Sequence, residues 1–297
     1  MKRRLFFKNA VILTATSLIL RTVGIVFRLY LSAKIGAEGM GLYQLIVSIY
    51  VLGSTFATSG ISTAVTRMVA DELVCGTHRS VRHILRRAVA ISLGIGALSA
   101  AVIYLGAQPI GVWWIRDIRA VPALKMLAFS LPSMGISACL KGYFAARRRV
   151  GHPAAAQLLE QTVRIALIAL LIDGFAAKGL AYACLAIMLA DTAAEWVSCL
   201  FVAVGYWADR RRLARENGQS DIARPRLSVV RQLFAIAAPI TAGRYLNTAL
   251  RTVENLLVPS SIARYCGSKE QGLSQFGALK GMALPLIFFP ASFFSAL

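Results

Sequence analysis

Residues 39–66 read GMGLYQLIVSIYVLGSTFATSGISTAVT and residues 88–115 read AVAISLGIGALSAAVIYLGAQPIGVWWI, and each run holds 28 residues without one Asp, Glu, Lys or Arg. About 20 such residues in a helix cross the roughly 30 Å hydrocarbon core of a bilayer, so either run is long enough. The rest of the chain agrees: 57% of its 297 residues are hydrophobic and 15% are charged, where a soluble domain carries about 25% charge. The sequence describes an all-α integral membrane protein. Its net charge of +20, from 33 Lys and Arg against 13 Asp and Glu, would suggest nucleic acid if it lay on one folded surface. Here it is interleaved with apolar runs, and no nucleic-acid partner is expected.

Apolar runs between charge and turn clusters place eight spans near 9–35, 42–66, 84–108, 120–143, 154–176, 179–207, 230–258 and 273–297. Lys2, Arg3, Arg4 and Lys8 ahead of an apolar stretch imitate a secretion signal. The segment runs on through Arg21 and Arg28 into further spans, so it reads as an uncleaved first helix. Sorting the connector Lys and Arg by side gives nineteen on the side of the amino terminus and six on the other. Positive charge near span ends is retained in the cytoplasm, which puts the amino terminus there, with membrane lipids as constant partners. The polar stretch 208–229 contains Asn217, Gly218 and Pro225 and divides the chain. Residues 1–207 form a six-span lobe, 208–229 a cytoplasmic linker, and 230–297 the first two spans of a second lobe. The five cysteines form no C-x-x-C pair and the three histidines lie scattered in basic connectors, so no metal and no cofactor are expected.

An internal repeat supports that division. At a shift of about 230 residues Arg21-Thr22-Val23 matches Arg251-Thr252-Val253; one inserted residue later Gly36 meets Gly267, Gly41-Leu42 meets Gly272-Leu273, and Gln44 meets Gln275. Six spans separate the copies, an even number, so both enter the membrane from the same side and the repeat is parallel. Spans seven and eight are then expected to superpose on spans one and two by rotation about the membrane normal.

Eight basic residues (Arg21, Arg28, Lys125, Lys141, Arg164, Arg244, Arg251, Lys280) and four acids (Glu160, Asp191, Glu195, Glu254) fall inside spans. Each central charge costs about 2.5–3.5 kcal/mol to insert, so these groups are expected to face a partner, a wet cavity or an interface. Arg21 and Arg28 stand two turns apart on one helix face, and Arg244 and Arg251 repeat that spacing. Glu160 with Arg164 and Arg251 with Glu254 are spaced for pairing within a helix. The excess of cations predicts a positive cavity, and guanidinium groups receive phosphate oxygens in a bidentate fork. Asp191 and Glu195 share a face; they either neutralise arginines or hold a proton or sodium ion. Pro132, Pro239, Pro285 and Pro290 are expected to kink their spans.

Asn9-Ala10-Val11-Ile12-Leu13-Thr14, Arg21-Thr22-Val23-Gly24, KIGAEGMGLYQ at 34–44 and TSGISTAVTR at 58–67 together resemble the family of stage V sporulation protein B and polysaccharide-export flippases. That family lies in the superfamily of multidrug and toxic compound extrusion (MATE) transporters and lipid II flippases. The resemblance implies two six-helix lobes in a V around a central cavity. It also implies alternating access that carries a polyprenyl-pyrophosphate-linked glycan across a bacterial cell membrane for polysaccharide, peptidoglycan or spore-wall assembly. No enzymatic chemistry is expected, and a proton or sodium gradient is a candidate driving force. Lipid II flippases keep first-helix arginines facing the cavity, and Arg21 and Arg28 match them in segment at one residue wider spacing. Those flippases carry a further arginine within the second helix; here the nearest basic residue is Arg67, at its inner end. Arg21, Arg28, Arg67, Arg244 and Arg251 are therefore the candidate pyrophosphate ligands. Glu160, Arg164, Asp191, Glu195 and Glu254 are candidates for ion coupling or charge pairing. The family has twelve or more spans, so a chain ending at Leu297 reads as part of a longer protein.

A cation-coupled drug exporter of the same fold is the alternative, and it would need an acidic cavity. A membrane enzyme such as a glycosyltransferase would need acids or nucleophiles in sizeable connectors. The connectors opposite the amino terminus offer only Glu38, Asp117, Asp173 and Glu270, which read as scattered.

Overall fold

The computed structural model describes residues 2–58, 60–74, 78–216 and 229–288, the side chains of 2–9, 78–79 and 212–216 excepted. All regular structure among them is helical: α1 (Lys2–Thr58), α2 (Ile61–Val74), α3 (His78–Pro109), α4 (Val121–Ala128), α5 (Leu131–Ala146), α6 (Gly151–Ala176), α7 (Leu180–Glu216), α8 (Val229–Cys266), α9 (Lys269–Phe276) and α10 (Leu284–Ile287). Tighter or wider turns lie at Ile110–Trp114, Ile118–Ala120 and Gly277–Ala283.

Helix α1 has 57 residues, far more than the roughly 20 that one crossing needs. Gly36 divides it into two arms: at φ 69° and ψ −178° its backbone leaves the helix, a conformation that glycine adopts without steric cost. Gly60, at φ 75°, separates the second arm from α2. These two glycines mark opposite ends of the bundle, called here the Gly36 end and the Gly60 end.

Four helical runs are long and apolar enough to cross a membrane: Ala10–Val74, which holds both arms and α2, then Ser80–Trp114, Gly151–Ala176 and Leu180–Arg211. A fifth arises if Ile118–Ala128 and Leu131–Ala146, bent by 42°, count as one crossing. Pro132 sits in the first turn of α5, where its missing N–H is tolerated, so the chain kinks ahead of it as expected. The polar groups that this break frees are met by side chains: Thr192 Oγ1 donates to the Met126 carbonyl at 3.2 Å, Trp196 Nε1 to Phe129 at 3.1 Å, and Tyr50 and Ser130 share a hydroxyl hydrogen bond of 2.7 Å. Non-helical backbone at membrane depth needs such partners. Helix α8 carries Arg231, Arg244, Arg251, Glu254 and Arg264 and is not among the four apolar runs. It passes Pro239 without a break, whereas the eighth segment distorts ahead of Pro285, through the wide turn Gly277–Ala283. Pro290 lies outside the described residues. Helix α7 continues to Glu216, well into the stretch read as a linker, and 217–228 lie outside the described residues.

Two large apolar clusters, and a small third one of Ile103, Ala128 and Leu131, hold the helices together. One, toward the Gly36 end, gathers Leu31, Met40, Leu42, Leu124, Ile187 and Phe276; the other, toward the Gly60 end, gathers Val65, Leu85, Leu140, Phe144, Val202 and Leu233. Helix α9 thus joins the first core and the start of α8 joins the second. Between these anchorages residues 242–247 of α8 are all exposed.

Candidate functional site

The second arm of α1 and α8 run antiparallel, since Gly60 meets Ala237, Thr55 meets Thr248 and Ser48 meets Thr252 in reverse order. The same arm crosses the segment from α9 onward, with Ala37 against Gly277, Gly41 against Leu273 and Met40 against Gly281. Glycine permits both approaches. A Cβ on Gly41 would stand 2.2 Å from the Leu273 carbonyl oxygen, one on Gly277 1.9 Å from that of Ala37, and one on Gly60 2.4 Å from that of Ala237.

Between the close contacts the helices part around a cavity of about 540 Å3. Its walls are polar for a membrane interior: Gln44, Ser48 and Thr55 from α1, and Asn247, Thr248 and Asn255 from α8. Arg244 and Arg251 complete the lining, two turns apart on one face as their spacing requires. Neither pairs with a carboxylate of the described residues, and the lining contains no Asp or Glu. Both guanidiniums are exposed to the cavity, so an anion entering here would find two planar donors preset for its oxygens.

Glu254, expected to pair with Arg251, turns instead to Lys280, at 2.8 Å. The cause is rotation about α8: Arg251 lines the cavity, while Lys280 rises in the wide turn behind it. The same ammonium donates to Asn255 Oδ1, and Asn255 Nδ2 donates to Ser48 Oγ at 2.7 Å. Lys280 was visible in the sequence as a buried cation but had no assigned partner.

The other intramembrane charges cluster apart from the cavity. Arg164 meets Glu160 at 3.1 Å, one helical turn away as the spacing predicts, and Asp191 of α7 at 2.7 Å. The Arg164 Nε and Asp191 Oδ1 atoms are close but poorly aligned for a hydrogen bond, so this contact is a charge pair. Lys141 approaches Glu160 at 4.0 Å. Glu195 is 7% exposed on the face it shares with Asp191, and among the described residues no ion pair holds it. Arg28 and Arg67 are exposed and Arg21 is half-buried; none of the three lines the cavity. Among the described residues no group of three His, Cys, Asp or Glu side chains is placed to hold a metal ion.

Two of the connector acids that read as scattered, Glu38 and Asp117, are brought together. Asp117 is 4% exposed and receives the Arg119 guanidinium at 2.8 Å; the same guanidinium reaches Glu38 at 2.7 Å; Lys269 stands 3.7 Å from Asp117. Asp173 pairs with Lys34. At the opposite end Asp209, also 4% exposed, receives Arg147, Arg149 and the Tyr143 hydroxyl.

Known proteins agree with this architecture. The family described as "Polysaccharide biosynthesis protein" matches residues 6–295. The chain is 28% identical over 292 residues to stage V sporulation protein B of Bacillus subtilis (strain 168), covering 98% of this chain and 56% of that protein. It is 26% identical over 166 residues to the lipid II flippase MurJ of the same organism, covering 53% of this chain and 30% of that one. The chain thus spans about half the length, or less, of these curated relatives. Among solved structures it superposes on the inward-facing conformation of a multidrug resistance MATE family transporter of the MOP superfamily, with a TM-score of 0.58 at 15% identity, covering 92% of this chain and 64% of that one. At that identity the likeness shows the fold alone.

Proposed function

The chain belongs to the polysaccharide biosynthesis protein family and is a multi-pass membrane protein, and on that premise we propose that it forms part of a flippase for a polyprenyl-pyrophosphate-linked glycan, working by alternating access. The observation that carries this reading is the pair Arg244 and Arg251 in a polar cavity without an acid. A pyrophosphate offers several anionic oxygens to two guanidinium forks, while the glycan needs only the polar walls and the prenyl chain stays in lipid. In this reading the Gly36 end faces outward, as the charge asymmetry predicts, and the glycine seam holds it shut. Arg21, Arg28 and Arg67 await the substrate along the entry route from the inner leaflet. Glu160, Asp191 and Glu195, three carboxylates against Arg164 and Lys141, supply the group through which a proton or sodium gradient acts. The first six spans form one lobe, and α8 onward begins the second.

The likeness to multidrug transporters favours a second reading, export of organic cations. Such cargo requires acids in the cavity, and the lining has none. The test is translocation of a polyprenyl-pyrophosphate glycan in reconstituted vesicles. Flipping that is lost in Arg244→Ala and Arg251→Ala, with no transport of cationic dyes by the native protein, supports the flippase; dye transport unaffected by either change would replace it with the exporter.

A further inference from the structure

We propose that Lys269 is a positioning residue for translocation: its ammonium, seated between the Arg116 carbonyl and the Asp117 carboxylate, fastens the Gly36 end, and its release starts the opening of that end. The proposal rests on the alternating-access reading above.

Three observations converge on this contact. First, Lys269 opens α9, and a cation at a helix N-terminus stands against the helix dipole. The contacts it makes offset that cost: its Nζ donates to the Arg116 carbonyl and lies 3.7 Å from Asp117. Second, the receiving segment is preset. Arg116 holds φ 57°, a left-handed conformation that side chains with a Cβ rarely adopt. Asp117 is fixed by its backbone N–H to the Gly111 carbonyl at 2.8 Å and by the Arg119 backbone N–H to its Oδ1 at 2.9 Å. Arg119 then ties the segment to Glu38 at the head of the second α1 arm. One ammonium thereby joins α9 to both the connector and α1. Third, the surroundings are not filled. A cavity of about 260 Å3, walled by Trp114, Arg116, Leu256, Ala263 and Lys269, lies beside the contact, so the ammonium borders space that side chains leave open.

Lys269, Leu273 and Gly277 recur at i, i+4 and i+8 on one face. Leu273 and Gly277 form the seam against Gly41 and Ala37, so the ammonium sits at the solvent end of a seam whose deeper contacts are uncharged. Half-exposed, it can be released without moving a buried group first.

The test uses the protein expressed from its complete reading frame, in lipid nanodiscs. Lys269→Gln removes the ammonium and leaves the Asp117–Arg119–Glu38 pairs intact; Lys269→Arg keeps a donor for both acceptors. Hydrogen exchange read by mass spectrometry is expected to rise at least fivefold in 36–42 and 268–277 for Lys269→Gln, to stay unchanged in 84–105, and to return near the native rate for Lys269→Arg. In vesicles the maximal flipping rate is expected to change at least twofold while the half-saturating glycan concentration holds. Unchanged exchange in Lys269→Gln overturns the proposal, as does a shift in half-saturation alone. Should exchange respond as expected while the native protein moves no glycan, the flippase reading fails and the fastening stands.

Discussion

Gly36 and Gly267 share a positive φ of 69°, and they are the two glycines that the sequence repeat sets in register. Each ends a long helix at the same end of the molecule and lets the chain turn back into the bundle. Nothing stands within 4 Å of a Cβ built at either position, so backbone strain would be the whole cost of a side chain. Gly36→Ala and Gly267→Ala are each expected to lose about 1–3 kcal/mol in thermal unfolding, since both place a side chain at positive φ. A loss confined to one of them would argue that the turns are not equivalent.

At the seam below these turns the cost has a different origin. Alanine at Gly41 or Gly277 brings a methyl group against a backbone carbonyl that no rotamer change can move. Overpacking of this kind costs about 3 kcal/mol at its upper end, so both variants are expected to be less stable than the native chain and to admit protease near residue 270. Equal stability of Gly277→Ala and the native chain would mean that the seam yields freely.

Two aspartates at opposite ends separate burial from mere pairing. Asp209 is 3% exposed at its side chain beneath Arg147 and Arg149, whereas Asp173 is 67% exposed beside Lys34. Removing one partner of a buried pair costs about 3–5 kcal/mol because the other charge is stranded; an exposed pair contributes about 0–1 kcal/mol. Asp209→Asn is therefore expected to shift chemical denaturation strongly and Asp173→Asn hardly at all. Matching shifts would contradict the burial of the Asp209 cluster.

The all-α membrane fold was legible because long uncharged runs such as 39–66 and 88–115 have no other stable use. Pairs within a helix were legible too: Glu160 and Arg164 meet because one turn separates them. Partners across helices were not. Nothing local indicates that Glu254 takes Lys280 rather than Arg251, or that Arg119 takes Glu38, because those choices depend on the rotation and depth of neighbouring helices. The same limit applies to the candidate site. Arg244 and Arg251 were readable as a face, but that Ser48, Thr55 and Asn255 complete the cavity wall follows only from the antiparallel docking of α8.

Acid is expected to weaken the fastening at the Gly36 end. Burial works to raise the Asp117 carboxyl, but hydrogen bonds from the Arg119 side chain and backbone, the Arg119 charge and the Lys269 charge outweigh it and leave its pKa below the ordinary carboxylate value. A carboxylate with a depressed folded pKa contributes stability that is present above its unfolded pKa and is lost as pH falls through the folded one. The native midpoint is thus expected to hold from pH 7 to about pH 4, near the unfolded carboxylate value, and to fall below it. Asp117→Asn is expected to remove part of that decline. An identical acid profile in the variant would detach Asp117 from the transition.

The cavity arginines make the sharpest chemical claim. A hydrogen bond to a charged group is worth about 1.5–3 kcal/mol, and each 1.4 kcal/mol is tenfold in affinity. Arg251→Ala is therefore expected to weaken binding of a short-chain prenyl pyrophosphate by roughly ten- to a hundredfold. Arg251→Lys is expected to recover only a small part of that loss, since an ammonium keeps the charge but cannot form the fork. Arg244→Ala behaves alike if both guanidiniums grip one ligand, and the double variant then loses less than the sum of the two, because residues sharing one partner are not independent. Titration calorimetry of the four variants reads all of this directly. Full recovery in Arg251→Lys would show that the cavity senses charge alone, and unaltered binding in the double variant would move the pyrophosphate site away from α8 altogether.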